Sequence, residues 1–151
     1  NEAGIIVICV TNQPIIARGE ISETELERIH AKLDMDLGKQ KAYLDDLFYC
    51  PHHPDKGFKG EISELKISCN CRKPKPGLIL KAMQKYNLSE QSFMVGDMSS
   101  DIAAGNAAGL CSILLSTGYG GLDKKVSCSP DHLAKNLSAA TDIILNSLRE
   151  I

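Results

Sequence analysis

The sequence predicts an α/β fold built on a parallel sheet, in the three-layer, Rossmann-like arrangement. Two observations carry that expectation. Short runs rich in β-branched residues alternate with segments whose apolar residues recur at helical spacing. The first run, residues 5–10 (IIVICV), is apolar at every position. That suits a central parallel strand covered on both faces better than a strand with one wet face.

The elements follow in order. The first strand ends at Thr11-Asn12-Gln13-Pro14, read as a polar turn. Ser22 and Glu25 then have the spacing of a capping box. A helix is predicted from there to about residue 41, with Leu26, Ile29, Leu33 and Leu37 on one face. Residues 47–49 (LFY) read as a short strand, and residues 55–68 as a polar excursion. Pro76 suits the first turn of a helix running to about residue 86, with Leu80 and Met83 among its buried positions. Residues 93–95 form another buried strand, ending at Gly96-Asp97. A helix over 101–108 stops at Gly109. A strand over 112–115 leads into the glycine-rich segment 117–121, and a last helix covers 138–148.

Composition narrows the function. With 151 residues the chain is long enough for a single domain with a real core. A formal net charge of -2 supplies no basic field for nucleic acid or an anionic membrane. The longest apolar run is too short to span a bilayer. No signal peptide is visible, and the expected location is cytoplasmic. The chain opens Asn1-Glu2-Ala3-Gly4, which reads as the end of a helix stopped at Gly4. The expectation is therefore one domain over 1–151 that starts mid-element and lacks upstream residues.

Six cysteines could signal a disulfide framework, but four candidate ligands fall into two tight pairs. Cys50-Pro51-His52-His53 provides C-x-H and Cys69-Asn70-Cys71 provides C-x-C. Three thiols and an imidazole make a full tetrahedral set for Zn²⁺, and such clusters are metal sites in reducing compartments. His53 competes with His52 as the nitrogen ligand; the C-x-H spacing favours His52. Four protein ligands leave no open position, so the zinc is structural, shaping a loop over about 50–73.

That loop delivers Arg72 and Lys73, two cations suited to an anionic substrate. In parallel sheets ligands bind beyond the carboxyl ends of strands. Thr11, Asn12 and Gln13 follow the first strand, and Asp97 follows the third, with Asp101 one helical turn later. Hydroxyl and amide donors, a cation and a carboxylate pair are the parts phosphoryl transfer needs, the carboxylates for Mg²⁺. Asp97 is the expected magnesium ligand, with Asp101 in support. Arg18 is either a substrate contact or a surface arginine. Residues 117–121 either cradle a phosphate or simply connect.

The order T-N-Q, A-R-G, Y-C-P-H-H-P, C-x-C-R-K-P-x-P-G and V-G-D-x-x-x-D resembles the haloacid dehalogenase phosphohydrolases, and within them the branch acting on heptose bisphosphates and histidinol phosphate. The resemblance covers nearly the whole chain. It implies Mg²⁺-dependent hydrolysis of a phosphate monoester through an aspartyl-phosphate. The substrate would be a small phosphorylated metabolite, a sugar bisphosphate, and the enzyme a monomer. Thr11 and Asn12 would bind the transferring phosphate and Lys73 would neutralise it. The chain departs from the pattern at Ile15, where glycine is usual, and at Met98, where a basic residue is usual. The nucleophile motif D-x-D-G-T is nowhere in these residues. The reading of another class is therefore a zinc-stabilised pseudoenzyme or binding module without hydrolysis.

Overall fold

A computed structural model describes residues 1–149. Its elements are β1 (Ile8–Asn12), α1 (Pro14–Ala17), α2 (Glu23–Lys39), β2 (Asp46–Cys50), a 3-10 turn (Ser63–Leu65), α3 (Gly77–Tyr86), β3 (Phe93–Gly96), α4 (Ser99–Ala107), β4 (Cys111–Leu115), β5 (His132–Ala134) and α5 (Leu137–Arg149). Every strand pairing is parallel. The strands form two sheets, β1-β2 and β3-β4-β5, where one was expected. Among the described residues no ladder joins β1 to β3. The chain divides into two compact units, residues 1–72 and 73–151.

In the first unit β1 begins later than its apolar run suggests. Residues 5–7 precede the ladder, and Thr11 and Asn12 lie inside it rather than in a turn. Backbone pairing, not hydrophobicity, sets the boundary: Ile8 is level with Asp46 and Asn12 with Cys50. All five β1 residues are half-buried, less covered than a central strand should be. The short helix α1 had no periodic signal. Residues 1–4 form a turn, with the Gly4 N–H donating to the Asn1 carbonyl at 2.9 Å.

The capping box of α2 is present. The Ser22 hydroxyl accepts from the Glu25 N–H at 3.2 Å, and the Glu25 carboxylate accepts from the Ser22 N–H at 2.8 Å. The Ser22 N–H and the Ser22 hydroxyl, both donating to the Glu25 carboxylate at 2.8 Å, hold it below its ordinary range. The predicted apolar face is only partly used. Leu26 is buried, while Ile29 is 54% and Leu33 39% exposed.

The second unit is a three-layer sandwich. Strand alternation sends Met94 and Ser112 toward α4, where Gly105 allows the approach: a Cβ there would sit 2.6 Å from that of Met94. The other face carries Phe93, Val95, Ile113 and Leu115, packed with Ala140, Ile143 and Ile144 of α5. Helix α3 buries Leu78, Ile79 and Ala82, whereas Leu80, expected inside, is 49% exposed. Asn87 in the left-handed region ends α3, and Gly109 at φ 75° follows α4.

The strand β5 was missed because HLA is too short to show alternation. It is prepared by Asp131, whose carboxylate accepts from the Ser112 N–H at 2.7 Å and the Ser112 hydroxyl at 2.9 Å. Those bonds hold the Asp131 carboxyl below its usual range. Ser112 is fully buried, so Asp131→Ala orphans two buried donors and is expected to cost about 1–3 kcal/mol. A group whose folded pKa is lowered stabilises above its unfolded pKa, here about 4. The contribution is lost as pH falls through the lower folded value. Thermal melts should show the largest gap between wild type and Asp131→Ala near neutral pH, closing in acid.

Candidate functional site

Residues of the first unit build a candidate metal centre at the carboxyl end of the β1-β2 sheet. Cys50, the last residue of β2, is fully buried, and its carbonyl accepts from the Gln13 N–H at 2.8 Å. The ligand atoms of Cys50, His52, Cys69 and Cys71 all lie within 4.8 Å of one another. Cys71 Sγ is 3.1 Å from both Cys50 Sγ and Cys69 Sγ, and 3.2 Å from His52 Nδ1. Cys50 and Cys69 are 3.5 Å apart, and no disulfide forms. These separations are a little shorter than the ~3.8 Å edges of a tetrahedron with Zn–S bonds of ~2.3 Å. Three sulfurs and a nitrogen converging on one point fit Zn²⁺.

The thiols are electrostatically unlike. Burial pushes Cys50 up, and its contact with Cys71 adds to the rise. Cys71 is raised by burial and by Cys69. Burial opposes ionisation of Cys69 too, but thiol hydrogen bonds from Cys71 and Cys50 outweigh it and bring Cys69 down. A metal binding here must displace the thiol protons.

His53 lies outside the cluster. It is 5% exposed, and its Nε2 accepts from Arg18 Nη2 at 3.2 Å. An arginine can only donate, so Nδ1 carries the proton and faces the Asp55 carbonyl at 3.4 Å. Arg18 also lies over the Phe58 ring at 4.9 Å, with Lys66 Nζ over the same ring at 4.6 Å. Arg18, expected to be either a substrate contact or a surface arginine, packs here against the loop through His53 and Phe58. Lys66, whose side chain is 1% exposed, stands 3.5 Å from the Glu61 carboxylate. Sequence reading missed this packing, because a lysine in a polar stretch looks solvated. The loop base is closed by His53 N–H to Leu65 C=O at 3.1 Å and Ile62 N–H to Ala17 C=O at 3.0 Å.

Arg72 donates from Nη1 to the His52 carbonyl at 3.1 Å. Its backbone follows Cys71 and its guanidinium rests on the His52 carbonyl, so the cysteine–histidine cluster holds both ends of the side chain. Thr11 and Asn12 end β1 level with Tyr49 and Cys50. Gln13 Nε2 donates to the Thr11 hydroxyl at 3.4 Å.

In the second unit Lys73 Nζ is 2.8 Å from Asp101 Oδ1, with side chains only 10% and 9% exposed. The other Asp101 oxygen accepts from the Met98 N–H at 3.1 Å. Asp101, expected to support magnesium, instead has both oxygens engaged: it orients Lys73 and caps α4. Gly96 is required beside it, since a Cβ there would overlap the Asp101 carboxylate. Asp97 follows β3, and its Oδ2 accepts from the Tyr119 N–H at 2.8 Å. Among the described residues no donor is bonded to the second oxygen. A half-buried carboxylate with one oxygen held and one open fits a hard cation such as Mg²⁺.

One D-x-D tripeptide does occur, Asp34-Met35-Asp36. It lies inside α2, where Asp36 pairs with Lys32 and Lys39. A surface helix cannot present a strand-end nucleophile, so these carboxylates are not the missing pair.

A family model described as HAD-hydrolase-like matches residues 70–140. A D-glycero-beta-D-manno-heptose-1,7-bisphosphate 7-phosphatase from Yersinia pestis is 36% identical over 152 residues, covering 99% of this chain and 72% of the relative. The enzyme of the same name from Escherichia coli K12 is 35% identical, covering 98% and 70%. Among solved structures, D,D-heptose 1,7-bisphosphate phosphatase from B. bronchiseptica, complexed with magnesium and phosphate, aligns with a TM-score of 0.81 at 30% identity. That alignment covers 97% of this chain and 77% of the other.

Proposed function

Because the chain belongs to the HAD-like phosphatases, in the family of the D-glycero-D-manno-heptose-1,7-bisphosphate phosphatases, we propose that it serves Mg²⁺-dependent hydrolysis of a phosphate monoester on that sugar bisphosphate. The observation that carries the substrate class is the Cys50-His52-Cys69-Cys71 cluster running directly into Arg72 and Lys73. It supports a zinc-shaped loop whose two cations, Arg72 and Lys73, meet the anionic groups of the substrate.

The roles follow from the side chains. The Thr11 hydroxyl and the Asn12 and Gln13 amides donate to phosphoryl oxygens. Lys73, held by Asp101, offsets the charge of the transferring group. Arg72 selects a phosphorylated sugar. Asp97 is the magnesium ligand, and bound Mg²⁺ supplies charge neutralisation at phosphorus. Cys50, His52, Cys69 and Cys71 hold zinc, which is structural.

The chemistry requires a carboxylate that attacks phosphorus, expels the sugar alcohol and forms an aspartyl-phosphate. Water then cleaves the acyl phosphate to release inorganic phosphate. That carboxylate and its acid/base partner are not among these residues, and we assign them to a D-x-D-G-T strand outside the 151. No helix among the described residues is long and apolar enough to cross a membrane. We place the enzyme in the cytoplasm, where its thiols stay reduced, as a monomer.

The test is phosphate release from D-glycero-D-manno-heptose 1,7-bisphosphate in Mg²⁺. The 151-residue chain should show none. The chain joined to a D-x-D-G-T strand should turn over, and Asp97→Asn should reduce that rate by about 10²-fold or more. Equal or faster turnover of histidinol phosphate by the joined chain would overturn the substrate assignment. Turnover by the 151-residue chain alone would overturn the mechanism.

A further inference from the structure

We propose that the glycine loop at residues 117–121 is a positioning device for Asp97, fixing one carboxylate oxygen so that the other is presented to a divalent cation. The inference rests on the assignment of Asp97 to magnesium and adds residues to it. Three contacts carry it. The Tyr119 N–H donates to Asp97 Oδ2 at 2.8 Å, and the Gly121 N–H donates to the Asp97 carbonyl at 2.8 Å. Gly118 sits at φ 68°, and a Cβ on it would overlap Asp97 Oδ2. A plain connecting loop has no need of glycine against a carboxylate; this one has, because its backbone must close over Asp97.

The far side of the loop is tied down as well. Asp123 accepts from the Ser99 N–H and the Ser99 hydroxyl, both at 2.7 Å. Ser99 Oγ in turn accepts from the Val126 N–H at 3.2 Å, and Ser99 is 2% exposed. The loop therefore clasps the segment from Asp97 to Ser99 at two points. A carboxylate free to rotate loses that freedom when it binds a metal; one already pinned through Oδ2 does not. The anchor is the Tyr119 backbone, since its side chain is 59% exposed.

The probe is Mn²⁺ titrated into the ¹⁵N-labelled 151-residue chain, read as paramagnetic broadening of the Met98 and Tyr119 amides. Wild type should show site-specific broadening, and Asp97→Asn should abolish it. Gly118→Ala should raise the Mn²⁺ requirement about tenfold, the order expected when a supporting partner of a ligand is lost. Tyr119→Ala keeps the N–H and should match wild type. Asp123→Asn loosens the second clasp and should weaken binding without touching Asp97, which keeps the test open should Gly118→Ala fail to fold. If Gly118→Ala folds, wild-type affinity in it overturns the positioning role, as does wild-type affinity in Asp123→Asn if it does not; Asp97 then remains a metal ligand. Broadening that survives Asp97→Asn, or its absence in wild type, overturns the metal assignment and the inference with it.

Discussion

Removing zinc from the Cys50-His52-Cys69-Cys71 centre is expected to unfold the segment from 50 to 72. Metal analysis of the purified chain should find about one zinc, the number one tetrahedral four-ligand site holds. Structural zinc contributes apparent free energies of about 10–16 kcal/mol in small finger peptides. Even a fraction of that rivals the 5–15 kcal/mol stability of an ordinary domain. The remaining hold on the loop comes from backbone bonds at its base, the Arg18–His53 and Lys66–Glu61 contacts and the packing of Phe58. Cys50→Ser should be the most damaging single change, because Cys50 is fully buried at the end of β2. Hydrogen exchange should show residues 50–72 losing protection while 93–115 keep theirs. Zinc content near zero in wild type, or unchanged content in Cys50→Ser, would sink the assignment. Chelation should also free Arg72, whose guanidinium rests on the His52 carbonyl.

The second large effect is expected from the Lys73–Asp101 pair. Both side chains are nearly buried and their charged atoms are 2.8 Å apart. Removing one partner breaks this nearly buried ion pair, at a cost of about 3–5 kcal/mol. Asp101→Ala should approach the upper end, since it also orphans the Met98 N–H. Lys73→Met should be destabilising for the same reason. In the chain joined to a D-x-D-G-T strand, it should also lower kcat by roughly 10²–10³-fold, as loss of a transition-state donor does. A double-mutant cycle separates the pair from its surroundings: the combined variant should be far less damaged than the sum of the singles. Strict additivity would show that the two do not act together.

Neither pairing could be assigned from spacing alone. Asp101 sits four residues after Asp97, and a metal-binding pair and a cap-plus-anchor pair share that spacing. The distinction depends on where Lys73, distant in sequence, places its ammonium. Arg18 is a similar case. Its position after Ile15-Ile16-Ala17 says nothing about Phe58 or His53, which return to it from a loop some forty residues on. The buried Lys66 is illegible for the same reason: a lone lysine among polar residues carries no signal until a ring covers it.

Periodicity served well where one element buries one face, and poorly where it does not. The capping box at Ser22 and Glu25, the β3 and β4 runs and α5 were readable because their signals are local. Leu80 was misplaced, and the face carrying Ile29 and Leu33 is only partly covered, because an apolar side chain at helical spacing shows which face could be buried, not which face finds a neighbour. β5 was missed because its three residues are held by pairing to β4 and by Asp131, not by their own pattern.

What the residues alone determined is the chemistry on offer: four candidate metal ligands at two tight spacings, two cations directly after them, and a carboxylate pair after a glycine. Ligand type and short spacing are properties of the local chain, so no fold was needed to see them. What only tertiary structure decided is the division of labour. It set His52 in the cysteine cluster and His53 on Arg18, left Asp97 an open oxygen while engaging both of Asp101, and brought a glycine loop back onto Asp97. Those choices depend on which groups burial forces together, and desolvation leaves a buried charge or donor stable only where a partner from elsewhere in the chain meets it.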